Sequence, residues 1–459
     1  MSTFSSLGTA LSALYAQQHG MDLTGQNVAN ANTDGYSRQR VRLEAMGGVA
    51  GPQIFTRSMQ PGAGVKVVDF QRIRDAFLEQ RALTEQSSTT ALQAGQTALS
   101  RIELSFSEPG PNGLQSQLSE FWGSWDDLAN RPGDVGARSQ VVERAQTLVQ
   151  GFNRAAGDLV SLRNSLTDQL RSRVDEINAQ AGRIAELNNS IQSSVQAGLS
   201  PNELLDQRDQ LINQLSNLVG ISTRDGAAGT VDVFVGGSAL VRGPNTETLG
   251  VTTDAQGNAT VMWNRLGVRA DLAGGGEAGG LQNAINTTIP TYQSRLDALA
   301  NQLRDAVNTQ HQAGDDLVAG QPTDPFFTGS GAAGLAVNPT IVADPNRVAA
   351  AAAGAGALDS ANALAMAGLG DGVGSPDAVY RALISDLGAD AQRVNRQADI
   401  QSQIASQVDA ARKAQSSVNL DEEMTNMIAY QHAYDAAAKF MTAVDQTLDT
   451  LIHMGVVGR

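Results

Sequence analysis

Apolar residues recur at alternating steps of three and four at both ends of the chain. Near the N terminus the repeat runs through Phe4, Leu7, Leu11, Leu14, Gln18, Met21, Gly25 and Val28. Near the C terminus it runs through Leu420, Met424, Met427, Gln431, Tyr434, Ala438, Met441, Asp445, Leu448 and Ile452. This heptad spacing predicts one amphipathic helix at each end. Because nothing local covers either apolar stripe, we expect the two terminal helices to pair with each other.

The middle of the chain has the period of α-helices over long stretches. Residues 84–220 follow this period, and a proline-free stretch from Asp134 to Val195 predicts a rod of about 90 Å. Helical periodicity returns from Leu281 to His311, with a break expected at Pro290, and again from Ala378 to Ser417. These segments predict a long helical bundle rather than a compact enzyme core.

Residues 223–280 have a different pattern. Val231, Val233 and Val235 alternate with other residues before a Gly-Gly turn, which is typical of a half-buried strand. We therefore predict a small antiparallel β domain inserted between helices. Residues 321–375 are rich in Gly, Ala, Asp and Pro, and their pattern does not indicate which part of the fold they belong to.

The predicted fold class is mainly α: a long helical bundle with paired N- and C-terminal coiled-coil helices and a small inserted antiparallel β domain. The predicted division of the chain is a terminal coiled-coil layer (1–45 and 416–459), a helical bundle (46–222, 281–320 and 376–415), a β domain (223–280) and a Gly/Ala-rich segment of uncertain placement (321–375).

Composition and charge exclude several classes of function. The chain of 459 residues has 47 acidic and 32 basic residues, so its net charge is −15, which disfavours binding to nucleic acid. No apolar run approaches about 18 residues, so no membrane insertion is expected. The absence of cysteine excludes thiol catalysis, disulfides and cysteine metal sites, and it also suits a chain that travels unfolded. The N terminus lacks the features of a cleavable secretion signal, so the protein either stays inside or leaves by another route.

The polar residues show no recognisable catalytic or metal-binding arrangement. The histidines are predicted to be polar helix positions rather than metal ligands: His19, His311, His432 and His453. The acidic pairs are predicted to lie on solvated faces: Asp126-Asp127, Asp315-Asp316 and Glu422-Glu423. Asp206, Arg208 and Asp209 are expected on the polar side of a bundle helix, where an interhelical ion pair would contribute little if exposed. We predict no catalytic, cofactor or metal site and no enzymatic activity.

A specific motif follows the first predicted helix. In residues 27–38, NVANANTDGYSR, a helix stop and a turn are expected at Asn30, Asn32, Thr33, Asp34 and Gly35. Asn and Gly tolerate left-handed backbone angles, and Asp and Thr side chains can satisfy local amides. Tyr36 and the following arginines would begin an extended arm. Taken alone, the segment could be an ordinary capped helix followed by a loop.

The motif does not stand alone. Residues 27–38 resemble the N-terminal signature shared by bacterial flagellar rod, hook and hook-associated proteins, and residues 416–454 are similar to the C-terminal end of that superfamily. Residues 61–81, 202–216 and 307–317 resemble one family within it, the first junction protein between hook and filament. The helical middle argues against rod and hook proteins, whose middles are mainly β.

The resemblance implies a structural component of the bacterial flagellum that assembles as a ring on the hook tip and allows filament assembly. The implied partners are the hook protein, the second hook–filament junction protein and a cytoplasmic export chaperone. The chain would be secreted unfolded and uncleaved through the flagellar type III export apparatus, to act outside the cell at the hook–filament junction. In that family the termini form an inner coiled-coil layer that orders on assembly.

We assign the packing between subunits to positions on the two terminal stripes: Leu7, Leu11, Leu14, Met21, Leu420, Met424, Met427, Tyr434, Met441 and Leu448. The resemblance places the chaperone site on the C-terminal stripe, with Met427, Tyr434 and Met441 as expected contacts. Three alternatives stay open at this point: the flagellin-like second junction protein, a cytoplasmic coiled-coil adaptor without a flagellar link, and an enzyme displayed on an axial scaffold.

Overall fold

The computed structural model describes residues 3–47, 63–108, 110, 113–272, 275–318, 320 and 324–456. Its α-helices, in chain order, are α1 (Thr3–Ala29), α2 (Ala76–Phe106), α3 (Leu114–Asn130), α4 (Val135–Gln196), α5 (Asn202–Leu218), α6 (Gly276–Asn283), α7 (Ile289–Gln312), α8 (Gly331–Gly334), α9 (Pro339–Ala343), α10 (Ala361–Ala367), α11 (Pro376–Ser416) and α12 (Leu420–Val456). A π turn, Ala284–Thr288, joins α6 to α7.

The strands form small antiparallel sheets. They are β1 (Gln39–Met46), β2 (Gly64–Arg72), β3 (Ser222–Asp225), β4 (Val231–Val235), β5 (Ser238–Arg242), β6 (Asn245–Thr246), β7 (Leu249–Thr253), β8 (Ala259–Trp263), β9 (Val268–Arg269), β10 (Gly314–Asp315), β11 (Phe327–Thr328), β12 (Ala336–Val337) and β13 (Ala351–Ala352). The sheet orders are β1-β2, β3-β4-β5-β6, β7-β8-β9, β10-β13 and β11-β12.

Long helices dominate the molecule, as the hydrophobic period predicts. α4 contains 62 residues and is therefore about 90 Å long, which confirms the predicted rod. It begins at Asp134, whose carboxylate accepts a hydrogen bond from the Gly136 N–H and so caps the helix. α11 packs along α2, and α12 packs along α1. The predicted pairing of the two chain ends is thus confirmed.

An aromatic cluster fills one part of the bundle core. Phe121 and Trp125 of α3 meet Phe326 and Phe327, with a Trp125–Phe326 centroid distance of 5.7 Å. All four side chains are fully buried. Burying a large aromatic side chain contributes several kcal/mol, so this cluster holds part of the 321–375 segment against the bundle.

The helix does not break at Pro290, so this prediction is wrong. The π turn makes the Ile289 N–H donate to the Ala284 carbonyl, one residue further back than in an α-helix. In that register the Ile285 carbonyl would need an N–H at position 290, where proline has none. Nε of Arg163 on α4 donates to this carbonyl at 3.0 Å instead. The proline is therefore accommodated by a wider turn and a side-chain donor.

Helix-borne asparagines anchor the sheet edges. Each side-chain amide accepts a hydrogen bond from one strand or strand-edge residue and donates one back to the carbonyl of the same residue, at 2.7–3.1 Å. The pairs are Asn27 with Gln39, Asn178 with Leu249, Asn188 with Val231, Asn286 with Ala259, and Asn308 with Phe327. The amide thus replaces the two hydrogen bonds that a neighbouring strand would make.

The predicted β domain is present as the two sheets β3-β4-β5-β6 and β7-β8-β9. Residues 64–72, which lie within the range assigned to the bundle, instead form β2 and pack with β1 on α1. Residues 48–62, between these strands in the sequence, lie outside the described residues. The division into domains itself stays a prediction.

Candidate functional site: the terminal helix pair and its motif turn

Small residues allow α1 and α12 to approach closely. Gly20 of α1 lies directly against Tyr430 of α12, and a Cβ atom at position 20 would be 2.6 Å from the tyrosine ring. Ala10 and Ala16 are also buried on α1. Small residues thus line part of the α1 face that is buried within the subunit, whereas the one leucine buried on this helix, Leu23, lies outside the predicted stripe.

Many positions of the predicted stripes remain open in the single chain. Leu11 is 44% exposed, and Leu7, Leu14 and Met21 are half-buried. On α12, Leu420, Met424 and Tyr434 are exposed, whereas Met427, Met441 and Leu448 are half-buried. The side chain of Phe4 lies outside the described residues. The role of these positions in subunit packing stays a prediction.

Further apolar side chains are exposed on the same two helices, beyond those assigned from the sequence. They are Tyr15, Ile428, Phe440, Leu451 and Ile452. Ile452 belongs to the predicted C-terminal stripe, and Tyr15, Ile428, Phe440 and Leu451 lie beside the stripes. Apolar side chains are therefore exposed on more than one face of this helix pair.

We call residues 30–36 the motif turn. A buried polar cluster joins this turn and the end of α1 to α12. Asn27 Nδ2 donates to Glu423 Oε2 at 3.0 Å, and Tyr36 Oη donates to Asn27 Oδ1 at 2.7 Å. Arg38 Nε donates to Glu423 Oε1 at 2.7 Å, and its Nη1 donates to Glu422 Oε2 at 2.6 Å. Glu423 is only 2% exposed. We call Asn27, Tyr36, Arg38 and Glu423 the polar node.

The electrostatics of the node keep its donors protonated. Burial, together with the Asp206 and Glu423 carboxylates, raises the pKa of Tyr36 to about 12, so the phenol stays a hydrogen-bond donor. Burial works against the charge of Arg38, but its hydrogen bonds to Glu422 and Glu423 raise its pKa. Arg38 also donates its backbone N–H to the Ser416 carbonyl at 2.9 Å, so the node fixes the joint between α11 and α12.

A second ionic cluster holds the end of β2, at the base of the β1-β2 hairpin, against α5. Arg72 Nη1 contacts Asp206 Oδ1 and Asp209 Oδ2, each at 2.8 Å, and Arg74 pairs with both Asp209 and Glu79. Asp206 and Asp209 are 11% and 15% exposed. The ion pairs of Asp206 and Asp209 are thus largely buried, and their partners are arginines of β2 and the following loop rather than of another bundle helix.

Two predicted solvated acidic pairs have buried members. Glu423 is enclosed by Arg38 and Asn27, as described above, and Asp316 is 8% exposed. Asp126 and Asp127 are exposed, as expected. A carboxylate can be buried when charged and polar partners compensate its lost hydration, and for Glu423 these partners are distant in sequence.

One histidine differs from its predicted place. His311 is fully buried, and its Nε2 accepts a hydrogen bond from the Ala349 N–H at 3.1 Å. Burial lowers its pKa to about 4, so the ring is neutral at pH 7. His19, His432 and His453 are exposed, and His19 on α1 also packs edge-on against Phe70 of β2.

The motif turn has the predicted form. Asn30 Nδ2 donates to the Gln26 carbonyl at 3.0 Å, and Thr33 Oγ1 donates to Asn30 Oδ1 at 3.2 Å. Gly35 has φ of 83°, a left-handed value that favours glycine. Tyr36 then turns inward into the node, and β1 begins at Gln39 as the predicted extended arm. Asn32 and Thr33 lie exposed at the tip.

The described residues include no group of three or more His, Asp or Glu side chains placed to hold a metal ion. No helix in the described part of the chain is both long and apolar enough to cross a membrane.

Comparisons with known proteins place this terminal site in a class. Residues 7–36 match the flagella basal body rod protein family, and residues 414–454 match the C-terminal family of the flagellar basal body rod FlgEFG proteins. These ranges contain most of α1, the motif turn and α12. The fold and the terminal site therefore define a protein of the flagellar rod, hook and hook-associated class.

Other matches are more specific. Residues 99–327 match the helical domain of flagellar hook-associated protein FlgK. Flagellar hook-associated protein 1 of Bacillus subtilis is 34% identical over the full length of both chains. The same protein of Escherichia coli is 26% identical over 70% of this chain and 59% of its own. The flagellar hook junction protein FlgK of Burkholderia pseudomallei shares the fold, with a TM-score of 0.63, 16% identity, and coverage of 74% of this chain and all of its own.

The chain belongs to the flagellar hook-associated protein 1 (FlgK) family. It is accordingly a hook-associated structural component of the bacterial flagellum. The comparisons do not favour the flagellin-like second junction protein or an adaptor without a flagellar link.

Proposed function

We propose that this chain is the adaptor between hook and filament. Copies would assemble as a ring on the tip of the hook and present a surface on which the second junction protein, and then the filament, can build. The proposed mechanism is assembly alone, so no catalytic residue and no cofactor takes part. Family membership supports the flagellar setting, and the exposed apolar side chains of α1 and α12 support the assembly mechanism.

The exposed terminal helices carry this proposal. Leu11, Met424 and Ile452 are 44%, 60% and 63% exposed in the single chain. Fully burying one such side chain contributes about 1.5–3 kcal/mol, so a few of them are enough to hold a subunit among its neighbours. Exposed apolar surface of this kind marks an interaction site rather than a face that stays in contact with solvent.

A charge placed on α1 tests the assembly mechanism. Leu11→Asp should leave the bundle folded, because Leu11 lies at the surface, yet it should block incorporation by placing a carboxylate in an apolar contact. Leu104→Asp is the matched control, since Leu104 is a 76% exposed leucine of α2. Incorporation is measured by immunogold electron microscopy of flagella from complemented deletion cells. Normal incorporation of Leu11→Asp would contradict the assigned packing face.

We also propose that the C-terminal stripe binds a cytoplasmic export chaperone before secretion through the flagellar type III apparatus. Met427 and Met441 are half-buried, and Gly20 of α1 lies against the neighbouring Tyr430, so a chaperone on this face would compete with α1. Release of the chaperone would then allow the terminal helices to pair outside the cell.

Substitution of three stripe residues tests the chaperone site. Met427→Ser, Tyr434→Ser and Met441→Ser together should abolish chaperone binding in a pull-down with the purified chaperone. Phe440→Ser with Leu451→Ser is the control, because it removes exposed apolar side chains that lie outside the stripe on the same helix. Equal binding of the triple variant and the unchanged chain would refute this assignment.

A further inference from the structure

The exposed tip of the motif turn carries a charge that no described residue of its own subunit pairs with. We call Asn32, Thr33 and Asp34 the turn tip; all three are exposed. Among the described residues, Asp34 forms no ion pair, although Arg412 and Lys413 border the same groove. These two cations are already occupied: the Arg412 guanidinium lies 2.7 Å from Asp409, and Lys413 Nζ lies 2.8 Å from the same carboxylate.

The position of the turn tip adds to its negative potential. It follows the C-terminal end of α1, where the helix dipole concentrates partial negative charge. The last turn of α1 contains no basic residue. Arg38, the nearest arginine along the chain, is engaged by Glu422 and Glu423. The tip is therefore a local negative site that the described part of its own subunit does not neutralise.

One face of the β1-β2 hairpin carries positive charge. Phe70 packs against His19 of α1, so its cross-strand partner Val41 lies on the same, inward side. Because side chains alternate, Arg40 and Arg42 lie on the outer side, and both are exposed. We call this side, with Arg40 and Arg42, the outer hairpin face.

Neither arginine is neutralised within the described part of the chain. Arg40 donates to the neutral amide of Gln71 at 3.1 Å. Arg42 lies opposite Asp69 in the strand register but forms no ion pair with it. Asp69 instead accepts hydrogen bonds from Ser200 Oγ at 2.5 Å and from the Phe70 N–H at 2.8 Å. The outer hairpin face therefore presents two free guanidinium charges.

The turn tip and the outer hairpin face lie at different positions along the axis of α1. The hairpin runs back along the helix, since Asn27 contacts Gln39 at its base and Ser12 Oγ accepts from the Val65 N–H further along. The tip lies past the C-terminal end of α1, and Arg42 lies about 10 Å along β1 from Gln39. Subunits stacked along this axis would bring the tip of one copy to the hairpin of another.

We propose that the turn tip of one copy docks on the outer hairpin face of a neighbouring copy, with Asp34 paired to Arg40 and Arg42. Such a contact joins two different surfaces, so it builds rings or helical arrays rather than closed dimers. Arginine and carboxylate form charge-assisted hydrogen bonds that also fix orientation. This inference rests on the proposed assembly function and names one of its contacts.

A charge swap tests the contact in complemented deletion cells. Asp34→Arg alone, and Arg40→Asp with Arg42→Asp, should each lower the fraction of cells with filaments about tenfold or more, because like charges would then meet. The variant with all three changes should recover filaments, since the pairing is restored with reversed sign. Asp126→Arg makes the same charge change at an exposed position of α3 and should have no effect.

The outcomes separate this inference from the proposed function. If the unchanged chain fails to restore filaments to the deletion strain, the proposed function is wrong. If the unchanged chain restores them and the reversed variants do so equally well, only the tip-to-hairpin contact is refuted. Loss in the reversed variants without recovery in the combined variant also refutes the contact. Thermal unfolding of each purified variant should match that of the unchanged chain, because these residues form no ion pairs with the residues that the structure describes.

Disulfide trapping gives a direct second test. The chain contains no cysteine, so Asp34→Cys with Arg42→Cys introduces the only thiols. Mild oxidation should link copies into dimers and longer ladders in assembled flagella but not in dilute monomer. Asp34→Cys with Asp126→Cys is the control and should not form ladders. Equal ladders from both pairs, or none from the first, would refute the contact.

Discussion

Four side chains of the polar node connect the end of α1 and the motif turn to the start of α12. Glu423 illustrates why this could not be predicted from the sequence. It follows Glu422 near the start of a helix, where acidic residues are ordinarily solvated and favour the helix dipole. Its burial depends on Arg38, which lies 385 positions away in the chain. The motif was recognisable from the sequence, but the pairing of its residues with Glu423 was not.

Removing the amide of Asn27 should weaken the attachment of α12. Asn27→Ala would leave the Gln39 N–H, the Tyr36 hydroxyl and one Glu423 oxygen without their partner, at a cost of about 2–3 kcal/mol. Hydrogen exchange of α12 amides should therefore become faster in the monomer. Asn30→Ala is the control, because Asn30 lies outside the node and bonds only within the turn. Unchanged exchange in Asn27→Ala would contradict the role of the node.

His311 should make stability depend on pH. Its pKa is about 4 in the folded chain against an ordinary value of 6.5, so only the unfolded chain takes up a proton between these values. Stability should therefore fall as the pH falls through this window, by about 2 kcal/mol between pH 7 and pH 5. His311→Gln retains an acceptor for the Ala349 N–H and should lack this component. Urea denaturation of both proteins at both pH values measures the difference, and equal pH dependence would contradict the assignment.

At the scale of elements, the hydrophobic period predicted the long helices well and the short segments poorly. The rod from Asp134 to Val195 agrees with α4 because its core positions repeat without interruption. Residues 321–375 have no period, and their short elements are held by distant side chains. Asn308 fixes β11, for example, and the Ala349 N–H is satisfied by His311. Such order comes from tertiary contacts, which a local pattern does not contain.

The asparagine anchors are a second feature of elements that the pattern did not indicate. An asparagine on a helix is usually a polar surface residue, and only its placement beside a strand edge makes it an anchor. The hydrogen bond from Arg163 to the Ile285 carbonyl beside the π turn likewise could not be predicted from the sequence pattern. Asn178, Asn188 and Asn286 attach the β domain to α4 and to the π turn, and so set the position of the domain on the bundle.

Loss of one anchor should be costly, whereas loss of its neighbour should not. Asn188→Leu would leave the Val231 N–H and the Val231 and Gly243 carbonyls unpaired in a buried site, at a cost of about 2–4 kcal/mol. Asn189→Leu, at the next and exposed position of α4, should change stability by less than about 0.5 kcal/mol. Denaturant unfolding measures both. Similar effects of the two substitutions would contradict the anchoring role.

At the scale of the whole molecule, the sequence predicted that the chain ends pair but not which faces touch. The repeat emphasised large residues such as Leu11, whereas the contact within the subunit uses small ones such as Gly20. A hydrophobicity pattern underweights glycine and alanine, even though they permit the closest helix approach. The large residues are consequently left at the surface, where other subunits can bury them.

The central claim is that this chain joins hook to filament, and a clean gene deletion tests it most directly. Electron microscopy of the deletion cells should show bare hooks, and an assay of the medium should find flagellin that has leaked out. Complementation with the intact chain should restore the filaments. Normal filaments in the deletion strain would contradict the account, and loss of the hooks as well would move the protein to the rod or hook.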